Sequence, residues 1–155
     1  MSNKKILEIK DLKVFYESYG SFFTGKNIVK AVNGLNIDIN QGETFGLVGE
    51  SGSGKSTVAR AILNLVKSNS GEINLEEENL LKLKGSKLRS KQKQIGAIFQ
   101  DPYSSLNPRM KIKDIIAEPL RVQGKKNIEK DVKNLLKMVG LDNRMDNRFP
   151  HEFSG

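Results

Sequence analysis

Gly49-Glu50-Ser51-Gly52-Ser53-Gly54-Lys55-Ser56-Thr57 satisfies the pattern G-x-x-x-x-G-K-[ST] without a mismatch and stands between two runs of different character. Before it, Thr44-Phe45-Gly46-Leu47-Val48 is short, apolar and bounded by Gly42, which predicts a buried strand. After it, Val58 to Val66 contains no Gly or Pro and places Ala59, Ile62, Leu63 and Val66 at helical spacing, which predicts a helix. Strand, glycine loop, helix is the context in which this pattern holds phosphate rather than forming a mere Gly/Ser turn.

The residue types follow from the chemistry of a triphosphate. Small residues let the backbone fold back so that successive N–H groups point at the phosphate oxygens, and a helix opening near Lys55 aims its positive end at them. Gly49, Glu50, Ser51, Gly52, Ser53, Gly54, Lys55, Ser56 and Thr57 are therefore the expected nucleotide-binding residues. Lys55 adds a full charge between the β- and γ-phosphates, and the Ser56 hydroxyl is placed to ligate Mg²⁺.

Composition narrows the remaining classes. A chain of 155 residues is long enough for one domain with a real core. With no Cys, no Trp and a single histidine, His151, a disulfide framework and a Cys- or His-rich metal site are excluded. No apolar run approaches the roughly 20 residues needed to cross a bilayer, and Met1 to Lys5 leads into an alternating stretch without a signal-peptide core. The reading is a soluble, cytoplasmic chain. The net charge of +8 is concentrated between Lys82 and Lys93, with six Lys or Arg and no acid, just after Glu76-Glu77-Glu78. A solvated helix face with a local charge swap is one reading, and contact with headgroups or a membrane partner is the other. The stretch has no aromatics among its cations, which argues against nucleic acid.

Taken in order, Leu7, Ile9, Val14 and Tyr16 predict one strand, out of phase around Asp11-Leu12 as a bulge would make it. A turn-rich loop with three aromatics follows, then an extended run from Ile28 to Ile39. Glu72 to Leu75 predicts a short strand, Leu80 to Lys91 a charged helix, and Ile95-Gly96-Ala97-Ile98-Phe99 a second buried strand ending at Gln100. Asp101 to Pro108 is an ordered loop by its turn chemistry. Ile112 to Gln123 is helical, with Pro119 expected to end or kink it. From Asn127 to Val139 the stripe Ile128, Val132, Leu135, Leu136 and Val139 predicts an amphipathic packing helix, with Asn127 as N-cap and Gly140 as stop.

Three further stretches choose among phosphate-loop proteins. Ile98-Phe99-Gln100-Asp101-Pro102-Tyr103-Ser104-Ser105-Leu106-Asn107-Pro108-Arg109 closely resembles the Q-loop of ATP-binding subunits of ABC importers, in the form seen in the oligopeptide/dipeptide branch. Phe149-Pro150-His151-Glu152-Phe153-Ser154-Gly155 resembles the run into that family's signature sequence. Leu12 to Tyr16, with Ala31-Val32 and the Gly42-Glu43 turn, resembles its A-loop strand and the approach to the phosphate loop.

The resemblance implies an α/β fold: a P-loop NTPase (RecA-like) ABC nucleotide-binding domain with an N-terminal antiparallel β subdomain and part of the helical subdomain. Residues 1–100 would form the β subdomain and P-loop core, and residues 101–155 the Q-loop and helical subdomain. It implies ATP and Mg²⁺ as cofactors, Lys55 and Gln100 as catalytic residues, and Ser56 and Gln100 on the metal. Tyr16 would stack on adenine, with Phe15 in its place should the register differ by one; a core aromatic is the structural alternative. A capping amide is the alternative for Gln100. Ser154 and Gly155 would meet the γ-phosphate of ATP bound by a second ATP-binding subunit in a head-to-tail dimer. The Q-loop would contact transmembrane permease subunits at the cytoplasmic side of the membrane, where the subunit is peripheral. His151 is read as structural.

The family's Walker B strand, catalytic Glu, D-loop and switch histidine have no counterpart in these 155 residues. The expectation is an incomplete domain that holds ATP without useful turnover, with its neighbouring core strands unpaired and apolar surface exposed. Competing readings are a non-catalytic nucleotide-binding fragment, an importer subunit for nickel or glutathione, and a small P-loop kinase. The last would want an Arg-rich lid, for which Arg144 and Arg148 are the candidates.

Overall fold

The computed structural model describes residues 4–19, 26–101 and 103–153 and resolves into two compact units, Met1–Gly96 and Ala97–Gly155. In the first unit, β1 (Lys5–Tyr19) pairs antiparallel with β2 (Lys26–Asn40) on one side and β3 (Ser70–Leu75) on the other. A short β4 (Glu78–Asn79) completes the sheet in the order β2-β1-β3-β4.

The phase break expected in β1 is present and has a visible cause. Asp11 takes a left-handed φ of 43°, and the pairing with β2 jumps from Ile9↔Ile37 to Leu12↔Leu35, so β1 carries one extra residue. The same residue is extra against β3, where Lys10 faces Glu72 and Lys13 faces Ser70. As a result Leu7 and Ile9 before the bulge, and Leu12 and Val14 after it, all reach the buried side. Gly71 sits against the bulge with φ 100°. A Cβ there would lie 2.5 Å from the Asp11 carbonyl oxygen and 2.6 Å from Leu12 Cα, so this position admits no side chain.

Val32, Ile73, Leu75 and Leu80 complete the core, capped by Val58 and Ala61 of α1 (Lys55–Ile62). Helix α1 ends earlier than its apolar pattern suggests. Asn64, at φ 57°, closes it with Asn64 N–H bonded to Ala61 O and Leu65 N–H to Arg60 O, a left-handed stop that the apolar run to Val66 conceals.

The two buried strands expected at 44–48 and 95–99 are not formed: neither run is in a ladder, and Val48 and Ile98 are 89% and 95% exposed. A parallel core strand exists only with hydrogen-bonded neighbours, and among the described residues none pairs with either run.

The charged helix α2 (Gly85–Gln92) is shorter than predicted and buries no residue. Its surroundings carry the local charge swap: Lys91 pairs with Glu76 at 3.1 Å and Glu78 at 3.8 Å, and Lys82 with Glu72 at 3.0 Å. On the sheet, Lys10 and then Lys5 donate to Glu8 and hold its carboxyl down to about 2, well below the ordinary glutamate range. A carboxylate depressed in the folded state stabilises it above pH ~4.5, and that contribution is lost as the pH falls toward 2. Acid unfolding of Glu8→Gln, followed by circular dichroism at low salt, is therefore expected to be flatter than wild type over that window; identical profiles would contradict it.

In the second unit, α3 (Ile112–Val122) packs on α4 (Ile128–Met138) through Ala117, Val132 and Leu136. Helix α3 runs through Pro119 to Val122, because a proline one turn from the end removes a single ladder bond. Asn127 occupies the N-cap position of α4 but its side chain makes no capping bond. Gly140 does stop the helix: at φ 74° it donates to Lys137 O while Leu141 N–H reaches Leu136 O. Of the predicted stripe, Val132 and Leu136 are buried, whereas Leu135 and Val139 are exposed along an apolar groove that also includes Ile115, Pro150 and Phe153.

Candidate functional site

The glycine loop leads from residue 49 into the first turn of α1, and its shape is set by two close contacts. Ser53 N–H donates to Glu50 O at 3.2 Å, turning the chain back on itself. Gly54 is the N-cap of α1, at φ 94°, and a Cβ there would overlap the carbonyl oxygen of Ala31 on β2. The loop is thus seated directly on the sheet backbone, a fit open only to glycine.

Lys55 closes the loop. Its ammonium donates to Gly49 O at 2.7 Å, Glu50 O at 2.6 Å and Ser53 Oγ at 3.2 Å, so one full positive charge stands inside the turn. No side chain caps α1 and no acid lies in its first turn. The first-turn amides, which have no intrahelical acceptor, and the lysine therefore act together as an anion-selecting end. Ser56 is exposed beside them, and Thr57 is buried. Among the described residues no three His, Cys, Asp or Glu side chains gather to hold a metal. A Mg²⁺ ion bound here would take its oxygens mainly from the phosphates, with the Ser56 hydroxyl as the protein's contribution.

Tyr16 and Phe15 divide as consecutive strand residues must. Phe15 is half-buried, has the Lys30 ammonium 5.9 Å from its ring centroid, and is anchored by its N–H to Asn69 Oδ1 at 2.6 Å. Tyr16 is 38% exposed and faces Val29 across the strand pair, so it has the freer ring. The Asn69 anchor was not legible in the sequence, since it joins residues 54 apart; its one local signal is an Asn in the turn before β3.

Gln100 belongs to the second unit and is exposed. Among the described residues after it, the expected turn chemistry is made: Ser104 N–H donates to Asp101 Oδ1 at 3.2 Å, the Ser104 and Ser105 hydroxyls to Asp101 O, and Arg109 N–H to Asn107 Oδ1 at 3.0 Å. Ser154 and Gly155 lie outside the described residues. His151 stacks on Phe149 with ring centroids 5.8 Å apart.

Residues 32–155 match the family model described as ABC transporter. The chain is 46% identical, over 99% of its length and 50% of the relative's, to the oligopeptide transport ATP-binding protein OppF of Streptococcus mutans. It is 47% identical, over 98% of its length and 49% of the relative's, to the dipeptide transport ATP-binding protein DppF of Lactococcus lactis subsp. cremoris. It thus spans about half the length of the curated relatives it matches. Two dimeric structures of the ATP-binding cassette MJ0796 align with 96% of the chain and 63% of theirs. One is in a post-hydrolysis state with ADP and Pi (TM-score 0.75, 27% identity), and the other is described as a bacterial ABC transporter cassette (TM-score 0.77, 28% identity). The chain belongs to the ABC transporter family.

Proposed function

We propose that the chain is the nucleotide-binding part of the energy-coupling subunit of an importer of oligopeptides or dipeptides, and that ATP with Mg²⁺ is its ligand. The observation that carries the proposal is the loop itself: a lysine charge and uncapped amides converge at the start of α1, on a glycine turn fitted to the sheet. Relatives named for oligopeptide and dipeptide transport supply the cargo class.

In this reading residues 49–57 hold the phosphates, Lys55 neutralises charge on the β- and γ-oxygens, and Ser56 orients the metal. Tyr16 stacks on the base. Gln100 monitors metal and water while its loop meets the permease subunits, and Ser154 and Gly155 cap the nucleotide of a second ATP-binding subunit. Residues 1–100 carry the nucleotide and residues 101–155 the coupling surface. The subunit works peripherally on the cytoplasmic face of the membrane, and hydrolysis by the whole subunit resets the dimer.

Calorimetry with MgATP and with inorganic tripolyphosphate tests the base and phosphate halves separately. Removing an aromatic stacking platform costs about 1–3 kcal/mol per base. Tyr16→Ala is therefore expected to weaken MgATP roughly ten- to a hundredfold and leave tripolyphosphate unchanged. Unaltered MgATP affinity would move the stacking role to Phe15, and absent binding of both ligands by the wild type would overturn the proposal.

A further inference from the structure

Helix α4 has a second face that the packing of the unit does not use. Lys130, Lys133 and Lys137 stand at i, i+3 and i+7, which places them within a band about 60° wide and about 10 Å long. Lys130 and Lys137 lie away from Val132 and Leu136, and Lys133 forms the edge of the band, where it borders a cavity shared with Val132 and Ala117. All three are exposed, and among the described residues no carboxylate pairs with them. The acids that flank the band on the same helix are Glu129 and Asp131, and Asp131 is turned to Lys125 at 3.9 Å. Glu129, Asp114 of α3 and Asp146 line the cavity beside Lys133, where Lys113 and Arg121 offset them. This differs from the more conspicuous basic run at residues 82–93, where Lys82 and Lys91 are neutralised by Glu72, Glu76 and Glu78 and the remaining cations point to different sides of α2.

Three ammonium groups in a line, without an aromatic or an arginine fork among them, suit an array of point anions more than a shaped ligand. We infer that Lys130, Lys133 and Lys137 form a contact stripe for anionic phospholipid headgroups. The inference rests on the proposed peripheral location and adds direct lipid contact to it. Lysines on a long stem reach a fluid surface of phosphates without a fixed register, and each adds an attraction of order 1 kcal/mol near an anionic leaflet.

The test is partition of the chain onto phosphatidylcholine vesicles with and without phosphatidylglycerol, with MgATP binding measured on the same samples. Replacing all three α4 lysines by Gln is expected to lower binding to the anionic vesicles about a hundredfold, at roughly fivefold per lysine, while the corresponding Arg variants retain it. Raising salt should have the same sense. Lys84, Lys87 and Lys93 changed together to Gln remove the same charge from the other unit and should have little effect. An equal loss in that control would assign the effect to net charge. Binding to neutral vesicles that the α4 variant leaves unchanged would assign it to exposed apolar surface. Stronger binding of the stripe to a duplex oligonucleotide would assign it to nucleic acid. Each of these overturns the inference. Intact MgATP binding with no vesicle preference would refute the stripe alone, whereas lost MgATP binding would refute the nucleotide reading alone.

Discussion

Lys55→Ala is expected to lose MgATP binding by at least about a hundredfold, since charge-assisted bonds to phosphate are each of order 1.5–3 kcal/mol and the lysine makes more than one. The fold should survive. The oxygens that Lys55 now engages, on Gly49, Glu50 and Ser53, belong to exposed residues, so removing the ammonium leaves them to water rather than orphaned. Far-ultraviolet circular dichroism should match wild type while calorimetry shows no heat. An unchanged affinity would mean that the lysine serves only to close its own loop.

Gly54→Ala should have a comparable effect on binding and a larger one on stability. The new methyl meets the Ala31 carbonyl oxygen, part of the β2 backbone, so no rotamer change can relieve it. The residue must also hold φ 94°, where a Cβ costs about 1–2 kcal/mol by itself. Together these predict a loss of about 3 kcal/mol or more. Gly52→Ala is the internal comparison. It has φ 81° but nothing within 4 Å of an added Cβ, so it should lose only the conformational part. Denaturant midpoints of the two variants that coincide would show that the contact with Ala31 does not set the loop.

What could be read from the sequence was what is local. The glycine loop, the phase break at Asp11, the β3 strand and the α3–α4 pair each announce themselves within about ten residues, through glycine spacing or apolar period. The runs at 44–48 and 95–99 read as buried strands because their residues are apolar, but burial and pairing are supplied by other segments, and among the described residues these are not found. The early end of α1 depended on Asn64 adopting a left-handed conformation, which composition permits without demanding. Asn127 illustrates the converse: a residue suited to capping stands at the capping position and does not cap, since its backbone lies outside the extended region that aims the side chain at the helix amides. The glycine turn and the start of α1 were legible. Their seat on Ala31 and the tether from Asn69 to Phe15 were not, because both join segments distant in the chain.

The extra residue in β1 also bears on how the chain could change length. A one-residue deletion inside a strand ordinarily turns every later side chain to the wrong side of the sheet. Here the surplus lies at Asp11, against both neighbours at once. Excising Asp11 would bring Leu12 and Val14 into simple alternation with Leu7 and Ile9 and align β1 one-to-one with β3 through this stretch, while β2, which carries its own extra residue between Leu35 and Asn33, would have to close up in turn. The shortened protein is expected to fold. Gly71, relieved of the Asp11 carbonyl and the Leu12 Cα that now crowd it, should then accept alanine with a smaller loss of melting temperature than in the parent chain. Against β3, Asp11 is thus the position at which β1 can shorten without turning its later buried residues outward.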